Sequence, residues 1–149
     1  KQYSPLFKYS WSKVYPALLE AQKVNKPNPF DGIFMKYSNP LTGGHVMQTM
    51  GASMQLLPAA FKGKAHKHTG SFVYQCAKGK GYSIINGQRF DWKERDIFCV
   101  PSWAWHEHHN LSETEDACLF AFNDLPVIEK LGLYQEKNYS ENDGFQTYN

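Results

Sequence analysis

The feature that most constrains the fold is a series of short apolar segments between about Met35 and Asn123. The segments GASMQLL, SFVYQCA, GYSII, QRFDW, DIFCVP and ACLFAF each have the length of a strand and recur about every ten residues. Turn-forming stretches such as NPLTGG, KGKG and KERD separate them. Many short strands at this spacing predict an all-β sandwich or closed barrel, of which the double-sheet jelly roll is one form.

Asn86-Gly87 is the clearest turn signal in this region and lies between GYSII and QRFDW. Both residues accept the positive φ of a type I′ turn, so a two-residue hairpin is predicted here. Aromatic residues, which favour strands, make up 15% of the chain, and many of them lie in its central third. Both observations favour a β-rich core.

A short helix is predicted before these strands. In SWSKVYPALLEAQKV, apolar residues recur with helical spacing on one face: Trp11, Val14, Tyr15, Leu18 and Leu19. Ser12 is a plausible N-cap, Pro16 falls in or just after the first turn, and NKPNPFDG ends the helix. The apolar stripe must pack on the domain's own sheet or on a neighbouring subunit or domain.

A second short helix is predicted in NDLPVIEKLGLYQE. Asp124 could cap it, Pro126 suits its first turn, and Gly132 suits a left-handed stop. The polar residues after about Tyr139 are expected to form a tail or an arm. We therefore predict an N-terminal helical arm over residues 1–34, a β-barrel over 35–124, and a C-terminal helix and tail over 125–149, in one domain.

Composition argues against several classes of function. Sixteen basic and fourteen acidic side chains give a net charge of +2, which does not indicate a nucleic-acid-binding surface. No apolar run approaches the roughly 20 residues of a membrane-spanning helix, and no leader is expected. Cys76, Cys99 and Cys118 are far apart and set in apolar runs, which predicts buried free thiols in a cytoplasmic protein. We expect neither a nucleic-acid nor a membrane partner.

Five of the six histidines lie in two segments, GKAHKHTG and PSWAWHEHHN. On an extended strand, His66 and His68 point to the same face while Lys67 points to water. His106 follows at the end of another predicted strand. Two ligands on one strand and a third from its neighbour would leave open positions on a metal ion, as catalysis requires.

Simpler interpretations stay open at this point. A His-x-His pair and an HEHH run are both common in polar surface loops. His108 and His109 also compete with His106 for the place of third ligand. If His106 points inward on a strand, His108 shares its face and His109 points away.

The larger pattern resembles the two sequence motifs of the cupin superfamily. The matching residues are His66, His68 and Gly79 in the first motif, and Pro101, His106 and Asn110 in the second. This resemblance implies a cupin double-stranded β-helix, which is a jelly-roll barrel, with short N-terminal and C-terminal helices.

Three positions depart from these motifs. Phe72 stands where the usual ligand glutamate is found, so the resemblance implies a metal held by three histidines alone. Arg95 and Trp103 stand where the second motif usually has glycine. Three neutral imidazoles leave the 2+ charge of Fe(II) uncompensated, which favours an anionic chelating substrate such as an ortho-hydroxy acid.

Longer segments, among them NPLTGGHVMQTMGASMQLLPAAFKGKAHKHTG and DIFCVPSWAWHEHHN, look like the C-terminal half of the gentisate 1,2-dioxygenase family and its salicylate and hydroxynaphthoate relatives. The resemblance runs from about Tyr37 to Glu136. It implies a non-haem Fe(II)-dependent ring-cleaving dioxygenase that uses dioxygen and a small aromatic hydroxy acid such as gentisate. It also implies a homo-oligomer or association with an N-terminal cupin half.

The resemblance assigns roles to single residues. His66, His68 and His106 match the three iron ligands. His108 matches a histidine beside the ligands. Gln55 matches a glutamine that lines the substrate pocket, although a polar residue that simply points into the core would give the same sequence pattern.

Other polar residues carry weaker implications. Gln75 and Arg89 could reach a substrate, but solvated strand positions explain them more simply. The family's better-established catalytic iron belongs to the N-terminal half, and an arginine of that half corresponds to about Tyr74 here. Three functions are therefore open: a ring-cleaving dioxygenase, a degenerate cupin half that binds metal without turnover on its own, and a non-redox cupin that binds a small acid or sugar through zinc or nickel.

Overall fold

A computed structural model describes residues 2–149. It contains ten strands and two α-helices, with one 3₁₀ turn at Asn142–Gly144. The strands are β1 (Ile33–Lys36), β2 (Gly51–Leu57), β3 (His66–His68), β4 (Phe72–Lys78), β5 (Lys80–Ile85), β6 (Gln88–Lys93), β7 (Ile97–Val100), β8 (His106–Asn110), β9 (Ala117–Asn123) and β10 (Glu136–Asn138). The helices are α1 (Trp11–Val24) and α2 (Leu125–Lys130).

The strands form two antiparallel five-stranded sheets, one in the order β1-β2-β9-β4-β7 and the other in the order β10-β3-β8-β5-β6. This arrangement confirms the all-β jelly roll. The predicted hairpin between β5 and β6 is present, with φ of 47° at Asn86 and 75° at Gly87. Both values fit the type I′ turn that the sequence predicts.

The core between the two sheets is apolar and largely aromatic. It is formed by residues that alternate along the strands with residues facing outward, as the period of two requires. The buried members are Leu57, Phe72, Tyr74, Cys76, Ile85, Trp92, Val100, Ala104, Ala117, Leu119 and Ala121. Two members of this cluster approach the histidines of β3 and β8: Phe72 lies against His68, and Tyr74 lies against His108.

Helix α1 packs on the outer face of the first sheet. Val14 and Leu18 are buried against a second apolar cluster that includes Met54, Leu56 and Cys118. The apolar stripe therefore docks on the domain's own sheet, one of the two alternatives that the sequence left open. Trp11, the first member of the stripe, remains 42% exposed.

The start of α1 differs from the sequence-based expectation. The N-cap is Ser10 and not Ser12, because the backbone carbonyl of Ser10 accepts hydrogen bonds from the N–H groups of Lys13 and Val14. Pro16 consequently lies inside the helix, beyond the first turn. The Ser10 side chain makes no capping hydrogen bond, so burial of one face stabilises α1 more than its cap does.

Helix α2 ends as predicted, at a left-handed glycine. Gly132 has a φ of 69°, and its N–H donates to the Glu129 carbonyl while the Leu133 N–H donates to the Ile128 carbonyl. These two bonds satisfy carbonyls of the last turn. Asp124 occupies the N-cap position, but its carboxylate accepts the N–H of Ser71 and makes no capping bond to the helix.

The chain beyond Tyr139 is not a free tail. Gln146 is buried, its N–H donates to Glu107, and the Gly144 carbonyl accepts the N–H of Ala65. Just before it, β10 pairs with β3 and extends the second sheet. The two sheets therefore include residues on both sides of the 35–124 segment, since β1 begins at Ile33.

Two further observations concern cysteines and membranes. Cys76 and Cys118 are buried free thiols, as predicted, whereas Cys99 is exposed, so the prediction was wrong for that residue. Cys99 lies on β7, an edge strand of its sheet, and faces outward between Phe98 and Val100. Within residues 2–149, no helix has the length and apolar character needed to cross a membrane.

Candidate metal centre

Three histidines converge where β3 and β8 pair. His66 lies directly opposite His106 in the antiparallel register, and His68 shares the face of His66 because it is two residues further along the strand. The ring centroids are 4.6 Å apart for His66 and His106, 5.0 Å for His68 and His106, and 5.4 Å for His66 and His68. One nitrogen from each ring lies within 4.8 Å of the other two, so the group could hold a metal ion.

Backbone carbonyls orient two of these rings. His68 Nδ1 lies 3.1 Å from the Thr69 carbonyl oxygen, and His106 Nδ1 lies 2.9 Å from the Ala104 carbonyl oxygen. A carbonyl can only accept, so each Nδ1 carries the proton and each Nε2 keeps a lone pair. His106 Nε2 is buried without a partner, an arrangement that is costly unless the nitrogen binds something. The donor set therefore fits a metal ion.

Burial keeps the imidazoles neutral. It lowers the pKa of His66 to about 4, with a further contribution from the nearby His68. It also lowers the pKa of His68, and it lowers that of His106 well below the ordinary value. A metal ion needs the neutral ring as its ligand, and these shifts supply that form near neutral pH.

The remaining histidines of PSWAWHEHHN lie beside this group but outside it. His106 does not end a strand, as the sequence suggested, but begins β8, because β7 stops at Val100 and a turn intervenes. His108 shares the inward face and places Nδ1 2.7 Å from Ser83 Oγ. His109 points to the other face, where Nε2 lies 2.6 Å from Glu107 Oε2. Among residues 2–149, the sole group placed to hold a metal is His66, His68 and His106.

A cavity of about 460 Å³ opens beside His66 and His68. Gln55 lines it from β2, is only 2% exposed, and donates through Nε2 to the Asp31 carbonyl oxygen. Aromatic and charged side chains form much of the remaining wall, among them Phe30, Asp31, Phe34, Lys36, His45, Phe72, Tyr74, Glu129, Tyr134 and Glu136. The cavity thus places apolar walls and both signs of charge next to the histidines.

The motif departures have structural consequences. Phe72 packs its ring 5.0 Å from that of His68, so an apolar group occupies the place of the motif glutamate. Tyr74 is buried and its ring lies 4.8 Å from His108. Arg95 and Trp103 have φ of 77° and 65°, so the left-handed backbone that suits glycine is kept without glycine.

Two polar residues considered as possible substrate contacts lie away from the cavity. Arg89 stacks on Tyr82 and pairs with Asp91 on the β6 edge, and Gln75 is exposed.

Lys67 does point away from the histidines, yet it does not extend into water. Its ammonium lies 4.5 Å from the ring centres of both Trp103 and Trp105.

Sequence reasoning missed the residues that reach the cavity from outside the barrel segment. Phe30 and Asp31 belong to NKPNPFDG, whose glycine and prolines predict the end of a helix. Tyr134 and Glu136 come from the segment after α2. No local signal marks them, because their position depends on contacts between distant parts of the chain.

Comparison with known proteins agrees with this geometry. A family model described as a cupin domain matches residues 52–122. The salicylate 1,2-dioxygenase of Pseudaminobacter salicylatoxidans superposes with a TM-score of 0.84 at 30% identity, covering 92% of this chain and 40% of that one. Residues 52–122 therefore match a cupin domain, and the superposition extends the structural likeness over most of the chain.

Its curated relatives include 1,2-dioxygenases named for 5-aminosalicylate and for gentisate. The 5-aminosalicylate 1,2-dioxygenase of a Comamonas species is 40% identical over 137 residues, which is 91% of this chain and 36% of that protein. A gentisate 1,2-dioxygenase of Aquipseudomonas alcaligenes is 37% identical over 133 residues, which is 89% of this chain and 38% of that protein. This chain thus spans little more than a third of the length of these relatives.

Proposed function

We propose that this chain is the metal-binding unit of an Fe(II)-dependent dioxygenase that cleaves the ring of gentisate or a similar hydroxybenzoate. The observation that carries the proposal is the convergence of three neutral imidazoles, from His66, His68 and His106, beside a cavity. The names of the relatives support the reaction class and the aromatic acid substrate. The proposal includes two further points: the metal is iron, and the protein is located in the cytoplasm. The free thiols of Cys76, Cys99 and Cys118 support a reducing compartment.

His66, His68 and His106 would hold Fe(II), which would supply a Lewis acid and a redox partner for a reaction between an aromatic hydroxy acid and dioxygen. The chain's own residues do the rest. Phe30 and Phe72 line the walls next to the histidines and exclude water. Lys36, on β1, gives the cavity a cation for an anionic substrate, and Gln55 offers an amide within the cavity.

We propose that His108 is a positioning residue for His106. It shares the inward face of His106, with the two ring centroids 5.7 Å apart. Its Nδ1 is hydrogen-bonded to Ser83 Oγ, which also accepts the indole N–H of Trp92. This chain of contacts fixes the imidazole behind the metal ligands, where it positions His106.

A second candidate is a cupin half that binds metal without turnover on its own. Two points favour it: the chain spans little more than a third of its curated relatives, and the resemblance places Tyr74 at about the position of an arginine in the family's N-terminal half. On this account the chain corresponds to the C-terminal cupin half and associates with an N-terminal half or with copies of itself. Light scattering of the purified protein, alone and with an N-terminal cupin half, measures that association.

Oxygen uptake separates the two candidates. The protein is loaded with Fe(II) under anaerobic conditions, gentisate is added, and oxygen is then admitted. The dioxygenase predicts oxygen consumption together with absorbance of a ring-opened product, and His106→Ala should abolish both. Iron bound without consumption would refute turnover by this chain and favour the second candidate. Metal analysis of freshly purified protein shows whether iron, zinc or nickel is present.

A further inference from the structure

The loop that precedes β1 is closed on itself by backbone hydrogen bonds. The Asn28 N–H donates to the Gly32 carbonyl at 2.8 Å, and the Gly32 N–H donates back to the Asn28 carbonyl at 2.9 Å. The Asn28 side-chain oxygen accepts the N–H groups of Phe30 and Asp31 inside the loop. Few conformations remain open to the residues between Asn28 and Gly32.

This loop is pressed against the barrel at the histidine site. A side chain at Gly32 would come within 2.5 Å of the Leu56 carbonyl oxygen, and φ there is 69°, so only glycine permits this approach. The Phe30 ring stacks on the His66 ring, with centroids 5.0 Å apart and an angle of 14° between the planes. Together with the bond from Gln55 to the Asp31 carbonyl, these contacts hold Asp31 over the cavity.

The Asp31 carboxylate lies next to a histidine of the site without a hydrogen bond to it. Oδ1 is 3.6 Å from His66 Nε2, which is longer than an ordinary hydrogen bond. The separation suits two ligands of one ion instead, because bonds of about 2.0–2.2 Å at ordinary angles place neighbouring ligand atoms roughly 3.0–3.6 Å apart. The pair is thus spaced to share a cation.

We propose that Asp31 is a fourth ligand of the metal centre, supplied by the segment before the barrel. The inference rests on the metal-binding function proposed above and extends it. Three neutral imidazoles contribute no charge, and a carboxylate offsets part of the 2+ charge of the ion. Asp31 lies beside His66 and not midway among the three rings, so its carboxylate turns inward about its side-chain bonds when the ion binds.

The chain offers a matched control in Glu136. This residue lines the same cavity and lies opposite His68 in the pairing of β10 with β3. Its carboxylate accepts the hydroxyl of Tyr134 at 3.0 Å, so it is already engaged. Asp31→Asn and Glu136→Gln each remove one negative charge from the cavity while keeping side-chain size.

Titration with Co(II) tests the proposal, because the visible absorption of Co(II) reports its coordination. We expect Asp31→Asn to weaken Co(II) binding at least tenfold and to change the visible bands, and Glu136→Gln to change affinity less than twofold. Equal affinities and spectra for Asp31→Asn and the parent would overturn the proposal. Equal weakening by the two variants would also overturn it, because the effect would then come from charge alone.

Two further measurements guard against misfolding and against failure of the site as a whole. Infrared difference spectra of the unmutated protein with ¹³C-labelled aspartate, taken with and without Zn(II), should show a shifted aspartate carboxylate band; an unshifted band would refute ligation even if Asp31→Asn does not fold. His106→Ala tests the three-histidine site separately. If His106→Ala loses Co(II) but Asp31→Asn keeps it, the site stands and only the fourth ligand is wrong.

Discussion

The two faces of strand β8 carry similar side chains, which make different contacts on each face. On the inner face, His106 is held by one backbone carbonyl and leaves Nε2 buried without a partner, next to two other imidazoles. On the outer face, Glu107 accepts both His109 Nε2 and the N–H of Gln146, and His109 stacks on Tyr82 at 4.5 Å. Both faces leave a buried ring nitrogen without a partner, His106 Nε2 on the inner face and His109 Nδ1 on the outer face. Only His106 meets the two histidines of β3, whereas Glu107 on the outer face binds the C-terminal segment.

This difference shows that burial and residue type alone do not identify a metal site. All five residues of HEHHN are buried, and three of them are histidines. Since an unpaired nitrogen is also found on the outer face, the convergence of other imidazoles around it is what separates a ligand from a structural residue. The predictions below perturb one face or the other and measure metal affinity, stability or both.

The largest expected effect is on metal affinity. Replacing His106 with alanine removes one of three ligands, and we expect affinity for Fe(II) or Zn(II) to fall more than about 100-fold, since even outer residues that orient ligands contribute 10–100-fold. The matched change on the outer face, His109→Ala, should leave affinity within about threefold. Competition with a chelator of known affinity measures both. Similar losses for the two variants would show that the faces do not differ.

Metal should also stabilise the fold, and only through the inner face. Metal that binds the native state alone adds about 2.7 kcal/mol to the free energy of unfolding when its free concentration is 100 times the dissociation constant. Thermal unfolding with and without Zn(II) measures this increment. The parent and His109→Ala should both show it, and His106→Ala should not. An increment that persists in His106→Ala would place the stabilising site elsewhere.

The outer face should control stability without affecting metal binding. Glu107→Gln keeps the size of the side chain but weakens two hydrogen bonds to a buried carboxylate, which we expect to cost about 2 kcal/mol. Urea unfolding of the metal-free protein gives this value. Metal affinity should stay within threefold of the parent. A large loss of affinity with unchanged stability would reverse the assignment of the two faces.

The smallest effect is the change in stability per unit of pH. The pKa of His66 is lowered to about 4 and that of His108 to about 3, so between about pH 6.5 and pH 4 the unfolded chain binds protons that the native state does not. The free energy of unfolding of the metal-free protein should therefore fall as pH falls through this window, on the order of 1 kcal/mol per pH unit. Asp31 opposes this trend, since burial raises its pKa to about 6.

Urea unfolding at a series of pH values measures this dependence. His108→Gln removes one of the contributing groups, so the slope should become shallower in that variant. An equally steep slope in His108→Gln would mean that buried inner-face histidines do not set the acid sensitivity. Bound metal should shift the loss of stability to lower pH, because protons must compete with the ion.

Local pattern was enough to predict much of the barrel. The segment GASMQLL is β2 without adjustment, and Asn86-Gly87 forms the predicted turn, because alternation and positive φ are properties of neighbouring residues. The inward direction of His66, His68 and His106 also follows from the period of a strand. Their convergence needed the register of β3 against β8, which the family resemblance implied and spacing alone did not give.

What could not be predicted depends on contacts over long stretches of chain. Asp31 reaches the site because Gly32 allows its loop to touch β2, and Gln146 is buried because Glu107 accepts its N–H. Lys67 was expected in water but lies between two indoles that belong to another turn. Cys99 sits in an apolar run yet faces solvent, since its strand is at the edge of a sheet.

The pairing of β10 with β3 has a consequence for how the centre is made. The strand that carries His66 and His68 has β8 on one side and β10 on the other, so one of its borders is supplied by residues 136–138. During synthesis, the ribosome must release that segment before the sheet around the histidines can close. We therefore expect a new chain to acquire metal late, so that ribosome-bound chains ending before β10 retain the ion less well than the complete sheet does.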